Sequence, residues 1–204
     1  MRPVFLKTNN IMKGCYIFLA QGFEDVEALG VSDVLRRGGV EVTLVSIEDS
    51  LEVTSSHSVT VKAEMNLAQA LERRTSGSET KDDFMIFPGG MPGSERLAAC
   101  APLTRELREH YLRGGSVAAI CAAPGLVLKE LGCSLNGVEF TCFEGFEKHL
   151  EMLGAIFRPE SAVVSGRIIT GRSAGHAFTF GLKILEYLKG GEAAAKVRHA
   201  LYLD

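Results

Sequence analysis

Apolar runs of four to seven residues, each followed by an amphipathic stretch of ten or more, recur along the chain from Cys15 onward. That alternation admits few folds. A short continuous apolar run reads as a strand covered on both faces, and the stretches between read as the covering helices, so the pattern specifies an α/β fold with a mostly parallel sheet. The expected strands are Cys15–Ala20, Val40–Val45, Phe84–Phe87, Ser116–Ile120, Val138–Cys142 and Arg167–Thr170. The expected helices are Glu24–Arg37, Pro102–Leu112, Pro124–Leu131, Phe146–Leu153 and Gly175–Leu188, with a short one near Asn66–Leu71. Gly38-Gly39 supplies a C-terminal stop for the first, and proline sits in the first turn of Pro124–Leu131. The Val-, Thr- and Ser-rich stretch Glu52–Lys62 reads as an antiparallel hairpin, and the polar stretch Thr75–Asp83 as a surface loop.

With 204 residues the pattern fits one domain, and an apolar share of 46% against 23% charged residues is enough for a core without disulfides or structural metal. Residues 1–12 read as an extension outside that domain, which then spans 13–204, with Met12 marking an alternative start. A net charge of −3, with both signs interspersed, gives no basic footprint for nucleic acid and no polybasic membrane patch. No apolar run approaches the roughly 18 residues of a membrane helix. The five cysteines, 15, 100, 121, 133 and 142, form no C-x-x-C pair, so reduced thiols in a cytoplasmic setting are expected. No phosphate-binding glycine motif and no metal-ligating histidine spacing occurs among His57, His110, His149, His176 and His199, so neither a cofactor nor a metal is expected.

The segment Ser116-Val-Ala-Ala-Ile-Cys121-Ala-Ala-Pro-Gly125 runs an apolar strand straight into a helix through a cysteine flanked by small residues. Small neighbours suit a reactive side chain on a tight strand-to-helix turn, and the helix start favours a thiolate. Such a turn lies at the carboxyl edge of the sheet, where open α/β folds bind ligands. Phe87-Pro-Gly-Gly90 ends a strand in two glycines whose backbone N–H groups, with that of Ala122, suit an oxyanion hole. Gly22-Phe-Glu24-Asp25-Val-Glu27 brings acidic residues to the same edge after the first strand.

In that order the three motifs resemble those of the ThiJ/PfpI superfamily, in the clade of the Parkinsonism-associated protein deglycase and its bacterial relatives. The resemblance runs from about Lys13 to the end. It implies a flavodoxin-like three-layer sandwich, a homodimer and a cysteine nucleophile elbow. It also implies that Cys121 is the nucleophile, Glu27 the acidic residue beside it, and Gly90 and Ala122 the backbone donors, with Gly89 in the same turn. By the same resemblance Glu24 is a further acidic pocket residue and Arg37 matches an arginine at the dimer contact near the pocket. The chain departs from the family at Ala122, where peptidase members carry histidine. Phe143 stands where a clade member has a pocket histidine, His57 where it has a pocket arginine, and Gly171-Arg-Ser-Ala-Gly175 where a proline usually lies between glycines.

Two functions want the same thiol. One is cofactor-independent chemistry on α-oxoaldehydes, free or as early adducts on glycated proteins. The other is a redox-sensing or chaperone protein whose Cys121 is oxidised. An intracellular amidase or peptidase is a third, weakened by Ala122. A carboxylate beside a thiolate is repelled, so Glu27 is expected to be protonated and to donate to the sulfur. His57 and His176 are left open as further participants.

Overall fold

A computed structural model describes residues 10–203. Seven strands form the central sheet: β1 (Cys15–Leu19), β2 (Val42–Ser46), β3 (Met65–Asn66), β4 (Phe84–Phe87), β5 (Ser116–Ile120), β6 (Ala162–Ser165) and β7 (Ile168–Gly171). Their spatial order is β6-β7-β5-β4-β1-β2-β3, parallel throughout except for β6, which runs antiparallel to β7. The helices are α1 (Asp25–Arg37), α2 (Leu67–Glu72), α3 (Gly93–Ala99), α4 (Ala101–Leu112), α5 (Ala123–Val127), α6 (Lys148–Glu151), α7 (Ala177–Lys189) and α8 (Gly191–Ala200).

Because side chains alternate along a strand, each central strand feeds two cores. Phe18, Met85, Phe87, Val117 and Ala119 pack on one face with Leu67 of α2, Leu97 of α3, Leu103 and Leu107 of α4 and Val127 of α5. Ile17, Leu19, Phe84, Ile86, Ala118 and Ile120 pack on the other with Val31, Val34 and Leu35 of α1, Phe180 and Leu185 of α7 and Val197 of α8. This is the helix-covered, mostly parallel sheet that the sequence pattern calls for, and the three-layer flavodoxin-like sandwich that the resemblance implies. Helix α1 stops at Gly38, whose N–H donates to Val34 O at 3.1 Å, and Gly39 follows at φ +72°. The Asn66/Gln69 capping box opens α2.

The expected hairpin is present, with Glu52 paired to Lys62 and Thr54 to Thr60. Other expectations need correction. Within Val138–Cys142 only Glu139–Phe140 is strand, and it pairs in parallel with Ile156–Phe157 in a two-stranded ribbon outside the main sheet. The strands β3 and β6 and the helices α3 and α8 depart from the sequence reading, which has no strand at Met65–Asn66 or Ala162–Ser165. The segment Phe146–Leu153 is helical only over α6. Pro124–Leu131 divides into α5 and a 3₁₀ turn at Leu128–Leu131, and α7 is preceded by another at Ala174–His176. For the extension at 1–12, residues 1–9 lie outside the described residues. Asn10–Ile11, however, pairs with Thr75–Ser76, and Ile11 and Met12 are buried, so these residues belong to the packed unit.

The loop Thr75–Asp83 also departs from a plain surface loop, since Glu79 and Asp83 are buried. Glu79 Oε1 lies 3.0 Å from His110 Nδ1, and Arg113 Nε donates to Glu79 Oε2 at 2.9 Å. His110 Nε2 faces the carbonyl oxygens of Asp83 and Ser116 at 3.1 and 2.9 Å, and Arg113 Nη2 and Arg74 Nη1 both reach Glu106. Burial alone would raise the Glu79 carboxyl, but hydrogen bonds and charge from His110 and Arg113 hold it below its ordinary value. This cluster sits at the amino edge of the sheet, opposite the edge that carries Cys121.

Candidate active site

Cys121 follows β5 and adopts φ +66°, the left-handed region, which costs a non-glycine residue about 1–2 kcal/mol. The surrounding chain holds it there. Cys121 N donates to Gly171 O of β7 at 3.0 Å, and Phe143 N donates to Cys121 O at 2.8 Å. Small residues at 122 and 123 and proline at 124 let α5 begin at once. The backbone amides of Ala122 and Gly90 lie on the sulfur's side of the turn and favour its ionised form.

Gly89 closes the site from the β4 side. Its N–H donates to Glu27 Oε2 at 2.7 Å. A Cβ there would lie 2.5 Å from that oxygen and 2.6 Å from Cys121 Cβ, so only glycine lets the two side chains meet. Gly90, at φ +89°, abuts Glu24 N, where a Cβ would come within 2.4 Å. Glu24 caps α1 through Oε2, which accepts from Glu27 N at 2.7 Å. That cap fixes the first turn, and the first turn aims Glu27 into the sheet edge.

Glu27 is 1% exposed, and its Oε1 is buried without a nitrogen or oxygen partner among the described residues. Burial pushes its carboxyl up to about 7 against the Gly89 hydrogen bond, with the charge of Glu24 adding to the rise. Burial and the facing Glu27 carboxylate push the Cys121 thiol up to about 12, against the amides of Ala122 and Gly90. The expected lowering of this thiol by a helix start is therefore outweighed; α5 is only five residues long. The two groups act as one unit. When Glu27 holds the proton, its contribution to raising the thiol disappears while the amide donors remain. The pair accommodates a single negative charge, and a second is opposed.

Folded Glu27 thus keeps its proton to higher pH than it would unfolded, where a carboxyl titrates near its ordinary value of 4.5. Stability associated with the neutral acid is complete below that value and is lost as pH rises through about 7. Glu27→Gln removes the titration. The variant is expected to gain about 2–3 kcal/mol relative to the parent between pH 5 and pH 8. Urea unfolding at both pH values checks this; a parent–variant difference that does not change with pH contradicts a raised Glu27.

Six of the residues read from sequence, Cys121, Glu27, Gly89, Gly90, Ala122 and Glu24, therefore meet at one edge. Phe143 joins them through its backbone, its side chain half exposed. Arg37 does not join them within one chain. It lies at the far end of α1, about 15 Å along the axis from Glu27, paired with Asp33 at 2.7 Å. His176 Nδ1 lies 3.0 Å from Ser173 Oγ at the start of α7. His57 has a partner that sequence reading did not find: its Nδ1 lies 2.7 Å from Asp25 Oδ2. The two are 32 positions apart, and no local pattern links them; only the folded hairpin does.

Fold and site together define an open, mostly parallel α/β protein with a cysteine at a strand-to-helix elbow, beside a buried carboxyl group. The DJ-1/PfpI family profile matches residues 13–187, and the chain belongs to that family. It is 33% identical to Arabidopsis thaliana protein DJ-1 homolog B over 94% of this chain and 42% of that protein, so it spans less than half of that relative's length. It is 30% identical to the Caenorhabditis elegans glutathione-independent glyoxalase DJR-1.2, over 83% of this chain and 84% of that one. The structure of oxidized Toxoplasma gondii DJ-1 superposes with a TM-score of 0.81 at 34% identity, covering 92% of this chain and 97% of that one. No helix among the described residues is long and apolar enough to cross a membrane.

Proposed function

We propose that the protein is a cofactor-independent enzyme acting on α-oxoaldehydes, free as a glyoxalase or as early adducts on glycated proteins as a deglycase, with Cys121 as nucleophile and Glu27 as its proton partner. The observation that carries this reading is the Cys121–Glu27 pair, wedged at Gly89 and faced by the amides of Gly90 and Ala122. A similarity to a protein named a glutathione-independent glyoxalase supports it.

With methylglyoxal as substrate, the sulfur adds to the aldehyde carbon while the carbonyl oxygen takes the proton held by Glu27, giving a hemithioacetal. The amides of Gly90 and Ala122 receive the developing oxyanion. Glu27 then removes the proton from the former aldehyde carbon and returns it to the neighbouring carbon, while the hydroxyl proton passes to the former ketone oxygen, leaving a lactoyl thioester. Water cleaves the thioester to lactate and restores the thiol. No electron donor or acceptor enters, since one carbon is oxidised as its neighbour is reduced. The functional unit proposed is a cytoplasmic homodimer, with Arg37 at the contact between copies.

Purified protein is expected to form lactate from methylglyoxal, Cys121→Ala to form none above background, and Glu27→Gln to lose about 10²–10⁴-fold. Equal lactate from parent and Cys121→Ala sinks the proposal. A second reading has its own support. A similar solved structure is of an oxidized protein, and amides that receive an oxyanion suit the oxygens of a sulfinate. Stoichiometric loss of the Cys121 thiol to peroxide, without lactate, favours this sensor.

A further inference from the structure

Thioester hydrolysis in the proposed reaction needs a base in contact with water, and Glu27, 1% exposed and enclosed by Gly89, is badly placed to provide one. We infer that His57, oriented by Asp25, is the general base that activates the hydrolytic water. This inference rests on the α-oxoaldehyde reading above.

The hairpin tip carrying His57 is fastened to the site side of the sheet. Ser56 N donates to Phe23 O at 2.8 Å, and Gly22 N donates to Thr54 O at 2.8 Å. Ser58 takes φ +66° to close the turn, and Ser55 Oγ accepts from the amides of His57 and Val59. Asp25 occupies the first turn of α1, two residues before Glu27. Burial would raise its carboxyl, but the neighbouring Ser55 hydroxyl and the His57 ring outweigh this and hold it below its ordinary value, so it remains an anion. That anion accepts from His57 Nδ1 at 2.7 Å. It fixes the tautomer with Nδ1 protonated and Nε2 free to accept a proton.

The His57 side chain is 66% exposed, and no hydrogen bond among the described residues engages Nε2. Glu24 is the other charged group facing it: ligand atoms of Glu24, Asp25 and His57 all lie within 4.8 Å of one another. Glu24 also ties this trio to the residues that flank the sulfur, because its amide donates to Gly89 O at 3.0 Å and its carboxylate caps the turn bearing Glu27. The base is thus wet, oriented and mounted on the same backbone that positions the nucleophile. In the step assigned to it, Nε2 takes a proton from water as the water oxygen bonds to the thioester carbonyl carbon. The C–S bond then breaks, lactate leaves, and the proton returns to the Cys121–Glu27 pair.

The test follows methylglyoxal turnover by the full chain alongside His57→Ala, His57→Asn and Asp25→Asn. His57→Asn keeps a donor for Asp25 but cannot act as a base, so it separates hydrolysis from anchoring of the hairpin. Both His57 variants are expected to lose about 10²-fold in kcat. They should accumulate on Cys121 an adduct with the mass of one methylglyoxal that survives desalting and yields a hydroxamate with hydroxylamine, as a thioester does and a hemithioacetal does not. Asp25→Asn should lose less, and added imidazole should partly restore His57→Ala. Parental kcat in both His57 variants, or a loss without the hydroxylamine-cleavable adduct, overturns the inference while leaving the α-oxoaldehyde reading intact. Absence of lactate from the parent overturns both.

Discussion

Gly89→Ala is expected to reduce methylglyoxal turnover by about 10²–10³-fold while lowering stability by only about 1–3 kcal/mol. Gly89 is not among the glycines with positive φ, so alanine meets no backbone penalty there, and the entire effect is steric. The added methyl group would sit 2.5 Å from Glu27 Oε2, 2.6 Å from Cys121 Cβ and 3.1 Å from Sγ. Something has to yield. Either the Glu27 carboxyl leaves the Gly89 amide or the elbow shifts, and each separates the acid from the sulfur. Because the deformation falls on the two groups that share a proton, activity should suffer far more than folding. Lactate formation and urea unfolding, measured on the same preparation, decide it. Near-parental turnover in the variant would show that the contact between Glu27 and Cys121 is dispensable.

The second large effect is expected at the opposite edge of the sheet. Glu79→Ala should cost about 3–5 kcal/mol, because removing one member of a buried ionic cluster strands the others. His110 is 1% exposed, and both of its ring nitrogens face acceptors; without Glu79, Nδ1 loses its partner and Arg113 loses two of its hydrogen bonds. For a domain whose total stability is typically about 5–15 kcal/mol, that is a large share. The sign with pH follows from the lowered Glu79 carboxyl: its stabilisation is complete above the ordinary carboxyl value of 4.5 and is lost as pH falls through its lower folded value. The parent should therefore lose its advantage over Glu79→Ala in acid. An advantage that persists unchanged into strong acid, or a variant as stable as the parent at neutral pH, contradicts the role given to this carboxylate.

What the amino-acid sequence revealed of the fold depended on how each element is buried. Strands β1, β4 and β5 are covered on both faces and read as unbroken apolar runs. The edge strand β6 is four residues long, and its Val164 is 42% exposed, so it lacks such a run. Helix α8 buries only Val197, and α3 follows Pro92 without a side-chain cap, so neither announces itself. Val138–Cys142 misled for the converse reason: Phe140 and Cys142 are buried in the core while pairing is confined to the ribbon with Ile156–Phe157, and burial outside the main sheet looks the same in sequence.

The site divides similarly. Cys121 was visible because a tight turn demands small neighbours, and Gly89-Gly90 because a strand rarely ends in two glycines without use. Glu27 owed its assignment to family resemblance, since acidic residues are common in any first helical turn. The direction of the thiol shift was not legible, because it arises from burial and from a carboxylate delivered by a different element. Asp25 and His57 were both in view, yet their pairing exists only after the hairpin folds onto α1.

The sheet's two borders bear on how safely the chain reaches its native state. Parallel strands distant in sequence pair slowly, leaving backbone donors and acceptors available to other chains. Here one border is the two-residue strand β3, too short to template an intruder. The other, β6, is folded back on β7 by a two-residue turn at Gly166, φ +59°, and its outer side is met by Glu139 N donating to Ser165 Oγ at 3.1 Å. Fibrillar or runaway edge-to-edge growth from the folded protein is thereby discouraged at both ends. Variants that unpin Gly166 or Ser165 should betray themselves as aggregation on storage before any loss of chemistry at Cys121.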